Sequence, residues 1–206
     1  MTLTIFSLIV LLFSVMIHEI AHGSVALSLG DPTAKYAGRL TLNPLKHLDL
    51  FGSIIIPLTM LVLTMGHGPI FGWAKPVPVN PALFKDRKWG ELKVSLAGPA
   101  SNFLIAIIFG LILRFVALPE TMALLFGIIC IYNFMWGFFN LMPIPPLDGS
   151  HILFSFLPPQ FLKLKYQYSQ YGLFILMAFL FLGGFDIVYF LASRVFAIVV
   201  GQSLVF

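Results

Sequence analysis

The chain has 206 residues, 59% hydrophobic and only 10% charged. A soluble domain carries roughly a quarter charged residues, so a water-soluble globule is excluded and one membrane-embedded bundle over 1–206 is expected. The net charge of +4 reads as loop lysines and arginines on the cytoplasmic side of a bilayer, not as a nucleic-acid surface.

Residues 3–29 form the first apolar segment. It lacks a basic n-region and an A-x-A-like cleavage site, so it reads as a retained helix and not a signal peptide. A polar loop, 30–49, carries Lys35, Arg39 and Lys46. Segment 51–65 is short, contains Pro57, and stops at GHGP (66–69), where Gly66-His67-Gly68 reads as a turn. The prolines of IFGWAKPVPVNP (70–81) rule out a regular helix. A basic loop, FKDRKWGELK (84–93), leads into apolar segments at 94–118 and 121–139. NLMPIPPLDGSH (140–151) is a second Pro-rich break. Beyond Lys163 and Lys165, segment 168–183 is interrupted by GGFD (183–186) before a last apolar stretch at 187–204. Cys130 sits in an apolar run and reads as a small core residue.

A span takes about 20 apolar residues. The expected fold is therefore all-α and polytopic, a bundle of about five to six transmembrane helices. Its core, 1–157, includes helices at 94–118 and 121–157, and 168–206 supplies accessory C-terminal helices. The loops at 30–49, 84–93 and 158–166 hold nearly all the basic residues, which places them on the cytoplasmic side and the N-terminus outside. Region 51–81 must then enter and leave on one side, as a re-entrant or extended element.

The first segment contains MIHEIAH (16–22). Ionisable groups inside a span mark function by default. His18 and His22 are four apart, hence on one helix face, and both imidazoles can reach one metal ion. Glu19 can face the same cavity. This H-E-x-x-H pattern supplies two zinc ligands and a general base. A catalytic zinc takes a third protein ligand. Asp148, in the PPLDG turn at a depth like that of His22, is the leading candidate, and His151 is its rival. His47 and His67 lie in loops and read as interfacial, as do Trp73, Lys75 and Trp89.

HEIAH, with NLMPIPPLDG (140–149) far downstream, resembles the site-2 protease family of intramembrane zinc metalloproteases. Asn140, Pro143, Leu147, Asp148 and Gly149 match that family's Asn-x-x-Pro and Leu-Asp-Gly pattern. GPASN (98–102) resembles its Gly-Pro-x-x-Asn, and GWAKPVPVNP (72–81) its membrane-associated extended loop. The resemblance implies one Zn2+ on His18, His22 and Asp148, Glu19 as base, and hydrolysis of peptide bonds within transmembrane helices of substrate proteins in the lipid bilayer. With no PDZ- or CBS-like appendage, it implies a minimal prokaryotic member in the cell membrane. The oxyanion needs a further stabiliser; Asn140 is the first candidate and Asn102 the second. The extended 72–81 segment could pair its free edge with an unwound substrate strand. Gly110, Gly127 and Gly137 suit close helix approach.

Overall fold

The structure is a computed structural model that describes residues 2–63, 65, 75–86 and 88–201. His67, Trp73 and the turn expected at 66–68 lie outside these residues. Helix α1 spans Thr2–Ser28. It ends in a Schellman turn: Gly30 takes φ +105°, its N–H donates to Leu27 O, and the Asp31 N–H donates to Ala26 O. Glycine enters that left-handed region without the Cβ cost other residues meet. The turn delivers Asp31 beneath the following loop.

A short helix α2 (Thr33–Tyr36) and a 3-10 turn at Pro44–Lys46 lead to a wide helical turn at Leu50–Ile55. Asp49 caps that turn by accepting from the Gly52 N–H at 2.7 Å. Helix α3 (Ile56–Leu63) follows directly. Eight residues span about 12 Å, so α3 cannot cross a bilayer. Residues 75–80 are extended, as three prolines within 76–81 require. They are called the strap below.

Helix α4 (Gly90–Phe115) runs into α5 (Glu120–Leu141) through a short loop. The Pro-rich break then separates α5 from the short α6 (Asp148–Ser155), so 121–157 is two helices and not one. Helices α7 (Leu162–Gln170), α8 (Gly172–Phe181) and α9 (Gly184–Val200) complete the chain. Among the described residues, α1, α4 and α5 are long and apolar enough to cross a membrane. The α8–α9 pair is bent by 72° and makes a fourth span if counted as one. Against the five to six expected from sequence, the described residues give three or four, because α3 is too short to cross and the GGFD interruption bends one element instead of dividing two spans. Gly183, at φ +87°, is the pivot. No strand occurs among the described residues. The molecule is an all-α integral membrane protein.

Packing centres on α1, α4 and α5, with α9 laid against α4 and α5. Ala106, Cys130, Phe134, Ala192 and Phe196 form the main apolar cluster. Cys130 is fully buried and its thiol faces Ala106 O at 3.2 Å, as a core residue. A Cβ on Gly110 would lie 2.7 Å from Val199, and one on Gly137 would lie 3.0 Å from Phe103. Both glycines therefore set helix–helix distance. Helix faces away from the bundle carry exposed Leu8, Phe174 and Ile198, the apolar surface that lipid covers.

Candidate metal centre

His18 and His22 lie on the inner face of α1, both buried. His22 is six residues before Ser28, about 9 Å from the helix end at 1.5 Å per residue. Asp148 opens α6, where the break after α5 turns the chain back toward α1. Gly149 permits that return: a Cβ there would lie 2.2 Å from Leu141 O. Asp148 Oδ2 comes to 3.0 Å from His18 Nε2 and 3.2 Å from His22 Nε2. The two Nε2 atoms are 3.0 Å apart. Among the described residues, these three side chains form the cluster whose ligand atoms all lie within 4.8 Å.

The rear of each ring decides what the front can do. His22 Nδ1 lies 2.7 Å from the Val94 carbonyl, which can only accept. His18 Nδ1 lies 2.6 Å from Asn102 Oδ1. The Asn102 amide is oriented by its Nδ2, which donates to Ser14 O at 3.2 Å and to Asn133 Oδ1 at 3.0 Å. Both histidines therefore carry the proton on Nδ1, and both Nε2 atoms present lone pairs. Two lone pairs and a carboxylate oxygen then face one another. Asp148 Oδ2 is buried without a hydrogen bond. With both rings neutral, this arrangement is repulsive until a metal cation, or a proton shared by a ring and the carboxylate, sits among the three atoms. A tetrahedral zinc with bonds of about 2.0–2.1 Å has ligand edges of about 3.3 Å, so the donor set and its spacing fit that ion.

Helix α4 makes the approach possible. A Cβ on Gly98 would fall 2.4 Å from His22 Nε2 and 2.5 Å from His18 Nε2. Only glycine leaves room for the rings. Pro99, next in the helix, has no N–H to give the Ser95 carbonyl.

Glu19 lines the same cavity of about 350 Å3, with Asn140, Ser95 and the apolar Val79 and Phe84. One Glu19 oxygen, Oε2, accepts from the Val77 N–H at 2.7 Å, which leaves Oε1 and the cavity side of the carboxylate open. Asn140 is at the wall, its Nδ2 donating to Trp136 O at 3.0 Å. Asn102, the second candidate for the oxyanion, is fully buried behind His18 with both amide N–H groups engaged. It orients the His18 ring and does not face the cavity. His151 does not join the cluster. It stands half exposed at the cavity rim, with Nδ1 3.3 Å from Glu91 Oε1, and Lys165 Nζ reaches the same oxygen at 3.2 Å.

Three residues that sequence patterning leaves in solvated loops are buried here. His47, expected at the interface, is 2% exposed, and its carbonyl accepts from the Lys75 N–H at 2.9 Å. Arg39, expected as a loop cation, is 5% exposed and donates to the Lys75 and Pro76 carbonyls. Asp31 is fully buried, bonded to Thr33 and to the Asn80 N–H at 2.6 Å. Burial alone would raise its pKa, but the bonds from Asn80 and Thr33 outweigh this and hold it below the usual carboxylate value.

A family profile described as Peptidase family M50 matches residues 6–123 and 117–183. The chain is 41% identical over 178 residues to the Bacillus subtilis protein named "Putative zinc metalloprotease YwhC", covering 82% of this chain and 77% of that one. It is 30% identical over 177 residues to "Putative zinc metalloprotease Rip2" of Mycolicibacterium smegmatis, covering 82% and 64%. "Zinc metalloprotease MJ0392" of Methanocaldococcus jannaschii is 32% identical over 91 residues, 43% of this chain and 27% of that one. No solved structure matches the chain. A buried donor set suited to zinc, a carboxylate beside it and a match along most of the length agree: the chain belongs to peptidase family M50, the site-2 protease family, and is a zinc metalloendopeptidase of the membrane.

Proposed function

We propose that the protein cleaves peptide bonds within transmembrane segments of other membrane proteins, with His18, His22 and Asp148 holding one zinc ion. The observation that carries this reading is the meeting of those three donors with Glu19 in one cavity, below the end of a helix long enough to span the bilayer. Zinc bound there supplies Lewis acidity, polarising the scissile carbonyl and acidifying water. Glu19 takes a proton from the attacking water and delivers it to the leaving amine. Asn140, at the cavity wall, donates to the oxyanion. Val94 and Asn102 hold the two imidazoles in the tautomer that ligation needs.

A helical substrate hides its amides, so it must unwind to be cut. The strap supports a way to receive it. The backbone N–H and C=O of Val79 make no hydrogen bond among the described residues, and Val79 lines the cavity. An extended substrate segment would pair there. The chain acts as one membrane-embedded protease domain, with 1–157 as catalytic core and 168–206 accessory. Exposed Lys35, Lys46, Lys85 and Lys88 lie in the loops joined to the end of α1 nearer His22 and to the start of α4, which supports a cytoplasmic-facing site and an outer N-terminus in a prokaryotic cell membrane.

The test is purified protein in detergent with a panel of transmembrane peptides. Cleavage that a chelator abolishes and zinc restores, absent in Glu19→Gln, is expected. Cleavage that survives either the chelator or Glu19→Gln overturns the reading.

A further inference from the structure

The loop after α1 buries two opposite charges, Asp31 and Arg39, that the chemistry above does not use. Both end on the backbone of the strap. Arg39 grips the Lys75 and Pro76 carbonyls at its start. Asp31 Oδ2 accepts the Asn80 N–H near its end. Between these points, one and two residues after the held carbonyls and three before the held amide, the Val77 N–H is given to Glu19. The strap has few other ways to be fixed. Its prolines cannot donate, and no strand pairs with it among the described residues. Burying a charge on an irregular loop is costly unless it is paired, and here one guanidinium nitrogen of Arg39 and one carboxylate oxygen of Asp31 are matched to main-chain dipoles of one short segment.

We propose that Arg39 and Asp31 are positioning residues for the hydrolysis: together they clamp the strap so that the Val77 N–H fixes the carboxylate of Glu19 against the cavity. The proposal rests on Glu19 being the base. Catalytic groups lose rate steeply with small misplacement, so the clamp acts on turnover. Val77 side-chain packing adds to the fit, since Val77 is 7% exposed and its Cγ1 faces Gly23 across α1.

Four variants test this: Arg39→Gln, the milder Arg39→Lys, Asp31→Asn, and Val77→Pro. The last removes the one N–H while keeping an extended backbone between Pro76 and Pro78. Each is measured for zinc content, for kcat and KM per zinc-bearing molecule on a transmembrane peptide, and for amide exchange across 75–80 in zinc-stripped protein. Arg39→Gln, Asp31→Asn and Val77→Pro are expected to lower kcat about ten- to hundredfold, with zinc retained. Arg39→Lys, which keeps one carbonyl contact, should fall between. Arg39→Gln should also speed exchange at Val77 in the stripped protein. Combining Arg39→Gln with Val77→Pro should add little to either loss, because both break the same link. Additive losses overturn the proposal, as does a rise in KM with kcat unchanged. Loss confined to folding or zinc content, with kcat per bound zinc at the wild-type value, assigns the clamp to structure alone and also overturns it. If Glu19→Gln cleaves in the same assay, the base assignment fails instead, and the two failures are told apart.

Discussion

The two walls of the active cavity are built differently. The helical wall, from α1, α4 and α6, holds the proposed ligands through regular elements. His18 and His22 share a face because of helix periodicity, and their rear nitrogens meet Asn102 and the Val94 carbonyl on α4. The opposite wall, the strap, has no secondary structure and takes its shape from Asp31, Arg39, His47 and Glu19. One wall is fixed by periodicity and close packing, the other by individually placed polar contacts. Damage to the first should therefore appear as lost metal, and damage to the second as lost turnover or altered pH response.

The sharpest test on the helical wall is Gly98→Ala. Its Cβ would overlap both imidazole nitrogens, so the purified variant should hold almost no zinc by elemental analysis. Stoichiometric zinc in that variant would mean that α4 stands farther from α1 than described. Asn102→Ala comes next. Removing the acceptor of His18 Nδ1 frees the tautomer, and outer partners of this kind are worth about 10- to 100-fold in metal affinity. Competition with a chromophoric chelator reads that shift.

The strap wall should show itself in pH. The folded-state pKa of Asp31 lies below its unfolded value. Its stabilising contribution is thus fully present above the unfolded pKa, near 4, and is lost as pH falls through the folded value. Thermal unfolding in detergent should show wild type losing stability in that acid window more steeply than Asp31→Asn. Equal slopes would place the Asp31 bonds outside the folding balance. The smallest effect is expected at the rim: His151→Ala should keep full zinc occupancy, because His151 bonds Glu91 and not the metal cluster.

The contrast between the walls also explains what the sequence reveals. Helical spacing is a local property, so H-E-x-x-H could be placed on one face of α1 from residues alone. The Leu-Asp-Gly turn was legible because Pro145, Pro146 and Gly149 announce a break where a ligand can leave helical geometry. The role of Asn102 was not legible. An asparagine on an apolar helix has the same pattern whether it faces the cavity or the back of a histidine, and only the packing of α4 on α1 decides. Arg39, Asp31 and His47 were harder still. A charge in a polar loop looks solvated until the partner segment, some forty residues away, is laid over it. The bend between α8 and α9 was marked by Gly183-Gly184, but its angle of 72° is a property of packing and not of composition.

The rear hydrogen bonds of the two imidazoles run to α4, through Asn102 and the Val94 carbonyl. The donors are thus aimed by a neighbouring helix, so a change that slides α4 along α1 would detune the metal without altering any donor atom.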